Sequence, residues 1–386
     1  MKKTLLVIVP DLLSALVAKG EITARYYNPG DLFDEVHLLM TNSDRPDPGA
    51  LQKTVGRARL HLHNLPPPSF PGTLGWQFIF LRGWVQAGIQ LAREISPALI
   101  RVHGNFQNGY LAAQIKEHLG IPLVVSLHIN PDVDLRGRTR WWPHWKRWLF
   151  YQRMLPFEEI TLRAADWVLP VYEPIRSYAE RRGAKHLQVC YNALNPQHLR
   201  PKDSYALQAP PRIISVGRQF EEKNPDNLIR ALVRLPEARL TLVGDGPYHQ
   251  HLQQVAMAAG VSARTDFLQA VPNDQLCRML PEFDIFATHT EYWELSKAVL
   301  EALLTGLPVV LNRRRGEPVP ELQGDFLLLV ENTPEDYFQV LHKLLTDHEF
   351  REQLGRKAYA HAQENWAPAK TEAKFVEIYR QLTSIS

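Results

Sequence analysis

The segment Ser215-Val-Gly-Arg-Gln-Phe-Glu-Glu-Lys-Asn-Pro-Asp-Asn-Leu-Ile229 joins a short apolar run ending at Val216 to a helical pattern starting near Pro225. Gly217 lets the backbone come close to a ligand, and Arg218 and Lys223 lie on the loop. An arginine fork and a lysine point charge beside a helix N-terminus suit a diphosphate. The loop could equally be an exposed basic surface paired with Glu221 or Glu222. The next apolar run leads into Leu242-Val-Gly-Asp-Gly-Pro247, where Gly244 and Gly246 fit a tight turn beside a ligand. That spacing is not GxGxxG, so a dinucleotide is not indicated. In Thr290-Glu-Tyr-Trp-Glu-Leu-Ser-Lys-Ala-Val-Leu-Glu301 an acidic turn precedes a helix starting near Ser296. Its carboxylates could accept hydroxyls of sugar or ribose, and the helix start offers free N–H groups to phosphate. Acidic residues there also complement a helix dipole.

Two histidines occupy equivalent places earlier in the chain. His103 in Arg101-Val-His-Gly-Asn105 and His128 in Leu123-Val-Val-Ser-Leu-His-Ile-Asn130 each follow an apolar run. Both are expected just past the C-terminal end of a strand, where ligands of α/β sheets bind. Cys190 and Cys277 lack a convincing base partner and read as buried packing. Two cysteines make neither a disulfide framework nor a cysteine zinc site, and suit a reducing compartment.

These residues need a scaffold, and the apolar pattern supplies one. Short apolar runs are expected as strands at Leu5–Val9, Glu35–Leu39, Leu99–Val102, Leu123–Ser126, Trp167–Pro170 and Leu187–Cys190. A second set covers Ile213–Val216, Leu240–Val243, Thr265–Leu268, Ile285–Thr288, Pro308–Leu311 and Phe326–Val330. Amphipathic stretches such as Gly75–Ile95, Gln107–Leu119, Tyr248–Ala259 and Ser296–Leu304 separate them, which implies βαβ units and parallel sheets. The fold class is therefore α/β, with two Rossmann-like domains. Their expected bounds are 1–195 and 196–365, with the proline-rich Asn195–Pro211 as linker and 366–386 as a helix packing back on the first domain. The start, Met1-Lys-Lys followed by TLLVIVP, resembles a signal peptide, but Pro10 and Asp11 break its apolar run and a strand is the preferred reading. No segment approaches the ~18 consecutive apolar residues of a membrane span.

Together the three C-terminal segments resemble the retaining glycosyltransferases of family 4, the group 1 enzymes with the GT-B fold of two Rossmann-like domains facing a cleft. The resemblance covers most of the chain and is strongest over residues 165–310. It implies that Arg218 and Lys223 hold the donor diphosphate beside Gly217, Gly244 and Gly246. It further implies that Phe267-Leu-Gln-Ala-Val271 borders the nucleobase, and that Glu301, the second glutamate of an E-x7-E motif, binds the ribose. Leu295 and Ser296 fall where backbone N–H groups approach sugar and phosphate. His128 matches a histidine that contacts the transferred sugar, and His103 one lining the same cleft. The first glutamate of E-x7-E falls on Trp293, so Glu294, or failing that Glu291, is expected to take its part. The usual glycine pair after the first strand is missing, with Gly20 the nearest candidate. Ala193 replaces a glycine in Val189-Cys-Tyr-Asn-Ala-Leu-Asn195, and the region of Arg313 to Glu321 lacks a double glycine.

Charge is unevenly spread. Residues 1–195 carry 23 Lys and Arg against 16 Asp and Glu, a net +7, while the remainder carries 21 against 25, a net −4. Residues 136–151 hold four tryptophans, Trp141, Trp142, Trp145 and Trp148, among five basic residues that include Arg140, Lys146 and Arg147. Such a mixture suits an anionic lipid interface or a sugar acceptor. It would equally suit a helix packing its aromatic face and extending its cations into water. Nucleic acid is the weakest reading.

The expectation is a hexosyltransferase that moves a sugar, with retention, from a nucleotide diphosphate sugar to a hydroxyl of a glycan or lipid-linked acceptor. Polysaccharide or glycolipid synthesis in the cytoplasm, with peripheral contact to the membrane's inner face, would suit it. No cofactor is expected, and the resemblance implies metal independence. A nucleotide-sugar epimerase or phosphorylase, and a lapsed nucleotide-sugar-binding scaffold, are the alternatives. A dehydrogenase is disfavoured because no strand–GxGxxG–helix with a downstream ribose acid occurs.

Overall fold

The computed structural model describes residues 3–68, 77–137, 145–314, 316 and 318–383. They divide into two compact units: Met1–Ala18, Ile22–Ala193 and Ala369–Ser386 form the first, and Lys19–Glu21 with Leu194–Pro368 the second.

The first unit is built on six parallel strands: β1 (Thr4–Val9), β2 (Glu35–Met40), β3 (Arg59–Asn64), β4 (Leu99–His103), β5 (Leu123–Leu127) and β6 (Trp167–Pro170). Their order is β3-β2-β1-β4-β5-β6. Every residue of β1, β4 and β5 is buried. Strands covered on both faces read as near-continuous apolar runs, which is why these three stand out in the sequence even though Arg101 and Ser126 interrupt two of them. β3 does not, because it is an edge strand of alternating polar residues, Arg-Leu-His-Leu-His-Asn, with none fully buried. The expected strand at Leu187–Cys190 is not part of the sheet. That segment runs beside β6 and makes a single bridge, Val168 to Leu187. The last helix, Pro368–Thr383, places Phe375, Ile378 and Tyr379 in this unit's core.

A buried ion pair anchors the residues on either side of the tryptophan-rich stretch. Arg136 donates to both carboxylate oxygens of Glu158, at 2.6 and 2.8 Å, and Tyr178 adds a hydroxyl at 2.5 Å. Glu158 is fully buried on the helix Trp145–Ala164, so the pair withstands solvent. Trp141, Trp142 and Arg140 lie outside the described residues. Trp145 opens the helix, Lys146 and Arg147 are exposed on it, and Trp148 is half-buried.

The second unit repeats the plan with β7 (Arg212–Val216), β8 (Arg239–Val243), β9 (Thr265–Leu268), β10 (Ile285–Thr288), β11 (Val309–Asn312) and β12 (Leu328–Val330). The order β12-β11-β10-β7-β8-β9 is the same doubly wound arrangement, reversing direction between β7 and β10. The proline-rich segment after Asn195 is not a free linker. Tyr205 is buried and donates to the Gly306 carbonyl at 2.9 Å, Arg351 donates twice to the Tyr205 carbonyl, and Lys202 donates to the carbonyls of Pro281 and Phe283. Gly306 and Gly355 make room, since a Cβ on Gly355 would fall 2.1 Å from the Tyr205 ring. The prolines stiffen this strap but leave its carbonyls and side chains free to bind.

Candidate functional site

The strand order predicts a ligand crevice beyond the carboxyl ends of β7 and β10, and a pocket opens there. It encloses roughly 500 Å³ including its mouth. Ser215, Val216 and Gly217 come from the end of β7, Val243 from β8, and Thr288, His289 and Thr290 from β10. Lys223, Glu294 and Ser296 supply further polar side chains, with Ala298 beside them.

The helix Lys297–Thr305 starts here. Ser296 caps it by accepting the Val299 N–H at 3.3 Å, and Gly306, at φ 87°, ends it. The cap satisfies one of the orphan N–H groups of the first turn and leaves others for an anion. Leu295, one residue before the cap, is buried and pins the turn to the core.

Lys223 donates to Glu294 Oε1 at 2.5 Å and lies 4.6 Å from the centre of the Tyr292 ring. The two residues are 71 positions apart. Of the two carboxylates considered for the position of Trp293, Glu294 lines the pocket, while Glu291 is exposed and donates its N–H to the Glu222 carbonyl at 2.8 Å. Arg218 is exposed between two lining residues, Gly217 and Gln219, with its guanidinium 5.7 Å from the Phe220 ring centre.

Gly244 and Gly246 are in close contact with backbone. Neither is among the residues lining this pocket. They sit behind the β7 loop, where a Cβ on Gly244 would fall 2.0 Å from the Gly217 carbonyl oxygen and one on Gly246 2.2 Å from that of Gln219. Gly217 N–H donates to the Val243 carbonyl at 3.0 Å and Gln219 N–H to that of Asp245 at 3.0 Å. The absent side chains thus allow two loops to be stitched together. At Gly217 a Cβ would meet nothing within 4 Å, so that glycine faces open space. Val271 follows β9 and also lies outside this lining.

Glu301 does not line the pocket; it lies about one turn further along the helix from Ala298, 3% exposed, with Oε1 accepting from Asn273 at 2.7 Å. Asn273 Oδ1 meets His198 Nδ1 at 2.9 Å, and His198 Nε2 meets Asn195 at 2.9 Å. Burial lifts the Glu301 carboxyl from an ordinary 4.5 to about 7, against the opposing pull of Asn273 and Lys297. Between those two values the unfolded chain releases a proton that the folded chain keeps. Stability therefore falls as pH rises from about 4.5 to about 7 and levels off above. Glu301→Gln removes this dependence, and over that window the nucleotide-free wild type should lose up to about 3 kcal/mol relative to the variant. Urea denaturation of both proteins at about pH 5 and pH 8 reads the difference. An identical pH response would mean that Glu301 is ionised throughout.

Sequence reasoning passed over three residues here. His289 lines the pocket, is 4% exposed, and has a buried Nδ1 without a hydrogen-bond partner. Burial, reinforced by Arg314, lowers it to about 4, so its ring is neutral near pH 7 and Nδ1 can serve a ligand. It follows β10 directly, so the strand-end rule applied to His103 and His128 would have found it. Gln219 lines the pocket and accepts from His249 Nδ1 at 2.6 Å. Asn312 exchanges hydrogen bonds with the Thr290 backbone and fixes the turn after β10.

His103 and His128 belong to the first unit. Their rings stack with centres 5.4 Å apart at the ends of neighbouring β4 and β5. Tyr26 and Tyr27 meet His103 edge-on. Burial, aided by Arg101 and His128, holds His103 well below the usual imidazole range, and its Nε2 is buried with no partner. Both cysteines are buried, and burial raises Cys190 to about 12 and Cys277 further, so neither is a thiolate near pH 7.

Two family models match consecutive stretches of the chain. Residues 32–198 match the model for glycosyltransferase family 4, and residues 201–361 that for glycosyl transferases group 1. The chain belongs to this glycosyltransferase family, and its two six-stranded sheets are those of the GT-B fold. A sulfoquinovosyl transferase of Arabidopsis thaliana is 30% identical over 309 residues, 74% of this chain and 59% of that protein. A GDP-mannose-dependent alpha-(1-6)-phosphatidylinositol monomannoside mannosyltransferase of Mycolicibacterium smegmatis is 29% identical over 191 residues, 46% of this chain and 50% of that one. The chain's matches thus span about half the length of these relatives. Among solved structures, Anabaena HepE in complex with UDP and glucose superposes with a TM-score of 0.72 at 17% identity, over 98% of this chain and 99% of that one.

Proposed function

We propose that the protein transfers a hexose-type sugar, with retained configuration, from a nucleotide diphosphate sugar to a hydroxyl. The observation that carries this reading is the shared pocket of Gly217, Lys223 and the N-terminus of the helix Lys297–Thr305 at the reversal point of the second sheet. A diphosphate seated there gains Lys223 and the free N–H groups of the helix, with Arg218 reaching in from the same loop. These three sources of positive charge suit a metal-independent departure of the nucleotide. On leaving, the phosphate oxygen takes the proton of the acceptor hydroxyl, so transfer needs no separate base. As the lysine turns to phosphate, Glu294 is released to accept sugar hydroxyls. Glu301, once ionised, accepts the ribose hydroxyls. The UDP of HepE and the GDP-mannose of the mycobacterial relative support a nucleotide sugar as donor class. A thermal-shift panel of UDP, GDP and ADP tests it. At a hundredfold excess over Kd the bound nucleotide should add about 2.7 kcal/mol of stability. A flat response to all three, with no donor-dependent product, would sink the assignment.

The acceptor we propose is lipid-linked and met at an anionic membrane face. Ile79 and Phe80, 63% and 46% exposed, begin the helix Gln77–Ile95, and Phe150, 50% exposed, lies on Trp145–Ala164. These helices touch where Gln77 donates to the Arg153 carbonyl at 3.1 Å and Phe78 meets Phe157. Exposed apolar residues on two touching helices, one of which also carries the exposed Lys146 and Arg147, suit interfacial docking. No helix among the described residues is long and apolar enough to cross a membrane. Replacing Trp141, Trp142, Trp145 and Trp148 by alanine should abolish sedimentation with phosphatidylserine-containing liposomes. Undiminished sedimentation would dismiss the membrane contact.

A further inference from the structure

We propose that Glu35, His37 and His61 form a zinc-binding site on the edge of the first sheet, independent of the glycosyltransferase reading. β2 and β3 run parallel in register, with His37 opposite His61. Side chains two apart share a face of a sheet. Glu35 and His37 therefore project from β2 beside His61 and His63 from β3. Glu35 Oε2 lies 3.9 Å from His37 Nε2 and 3.7 Å from His61 Nε2. One ligand atom from each of the three residues falls within 4.8 Å of the others.

Two imidazoles and one carboxylate are a recurrent zinc set, with water in the fourth position. Bonds of 2.0–2.1 Å in tetrahedral geometry place neighbouring ligand atoms about 3.4 Å apart. The two carboxylate–imidazole separations exceed that by only a few tenths of an ångström. His37 and His61 stack with centres 4.2 Å apart, so a shared ion requires one ring to turn about its Cβ–Cγ bond. His61, 27% exposed on the edge strand, is the ring with room to do so.

Two further observations point to a ligand. His61 Nε2 is buried and has no hydrogen-bond partner. An imidazole nitrogen so placed lacks a partner that a metal ion would supply. In addition, His37 Nδ1 meets His63 Nε2 at 2.9 Å. When Nδ1 carries the proton it donates to His63, and the lone pair at His37 Nε2 faces Glu35. This is the outer hydrogen bond that commonly orients a metal-bound histidine, and it makes His63 a positioning residue.

The site lies towards the N-terminal end of β2, at the opposite end of the strands from His103 and His128. Its ion would tie the exposed edge strand β3 to β2 rather than meet the donor. Imidazole with one carboxylate favours zinc over magnesium or calcium.

The test uses the tag-free 386-residue chain, stripped with chelator and titrated with zinc against a chromophoric competitor. One equivalent should bind and raise the melting temperature. His61→Ala and Glu35→Gln should each abolish stoichiometric binding. His63→Ala should keep the stoichiometry and weaken affinity by about 10–100-fold. No stoichiometric uptake by the wild type, or uptake unchanged in His61→Ala, overturns the site. If the variants fail to fold, cobalt(II) added to the wild type decides: visible ligand-field bands of a tetrahedral nitrogen–oxygen set support it, and their absence overturns it.

Discussion

Arg218→Ala should lower the turnover of sugar transfer by about 10²–10³-fold and leave the melting temperature essentially unchanged. The two halves of this result have separate causes. The side chain is exposed, resting near Phe220 without being packed into the core, and substitutions at such surface positions usually shift stability by less than about 0.5 kcal/mol. The charge it places beside Gly217 and Gln219 matters when the diphosphate departs and its negative charge grows. Losing one preorganised donor to such a charge costs about 3–4 kcal/mol of barrier. Arg218→Lys should recover only part of the rate, since a point charge replaces a planar fork. Lys223→Ala is a less clean probe, because it also strips Glu294 of its partner. Steady-state kinetics with melting curves for Arg218→Ala measures both halves. Near-normal kcat in a folded variant would remove Arg218 from the mechanism.

Gly244→Ala should unfold more easily and bind nucleotide poorly, whereas Gly217→Ala should keep its stability and lose only binding. Gly244 adopts φ 139°, a conformation that side chains rarely tolerate, and its new Cβ would overlap the Gly217 carbonyl. That oxygen belongs to backbone stitched to β8, so it has little freedom to move. Strain and overpacking together predict a loss of roughly 2–4 kcal/mol. The loop carrying Arg218 moves with Gly217, and UDP affinity should fall by at least about tenfold, a modest 1.4 kcal/mol. At Gly217 the added methyl enters open space, so the fold is spared while the ligand's space is taken. Denaturant titrations and UDP binding isotherms on the pair test the contrast. A Gly244→Ala variant as stable as the wild type would show that the two loops are not packed as described.

Much of the scaffold is legible from local pattern. β1, β4 and β5 are buried on both faces, so each is mostly apolar, interrupted only by Thr4, Arg101 with His103, and Ser126. The Gly217–Lys223 loop and the Ser296 cap are legible for a similar reason: each needs only residues adjacent in the chain. β3 was missed because a half-covered edge strand has no apolar run to find. The packing of the strap after Asn195 is not legible because prolines mark irregular backbone in linkers and in packed segments alike. That Gly244 spares the Gly217 carbonyl is not legible either, because a turn glycine is the same letter whatever approaches it.

Residue types and their order along the chain were therefore enough to establish two α/β units, a phosphate-suited loop and the resemblance that names the family. Which side chains meet was settled only by folding. Lys223 with Glu294, Asn273 with Glu301, and His37 with His61 and His63 are separated by between 24 and 71 positions. Helical and strand periods govern neighbours three or four residues apart, or two. Contacts across such separations depend instead on strand order and register, which arise from how whole sheets bury their apolar faces.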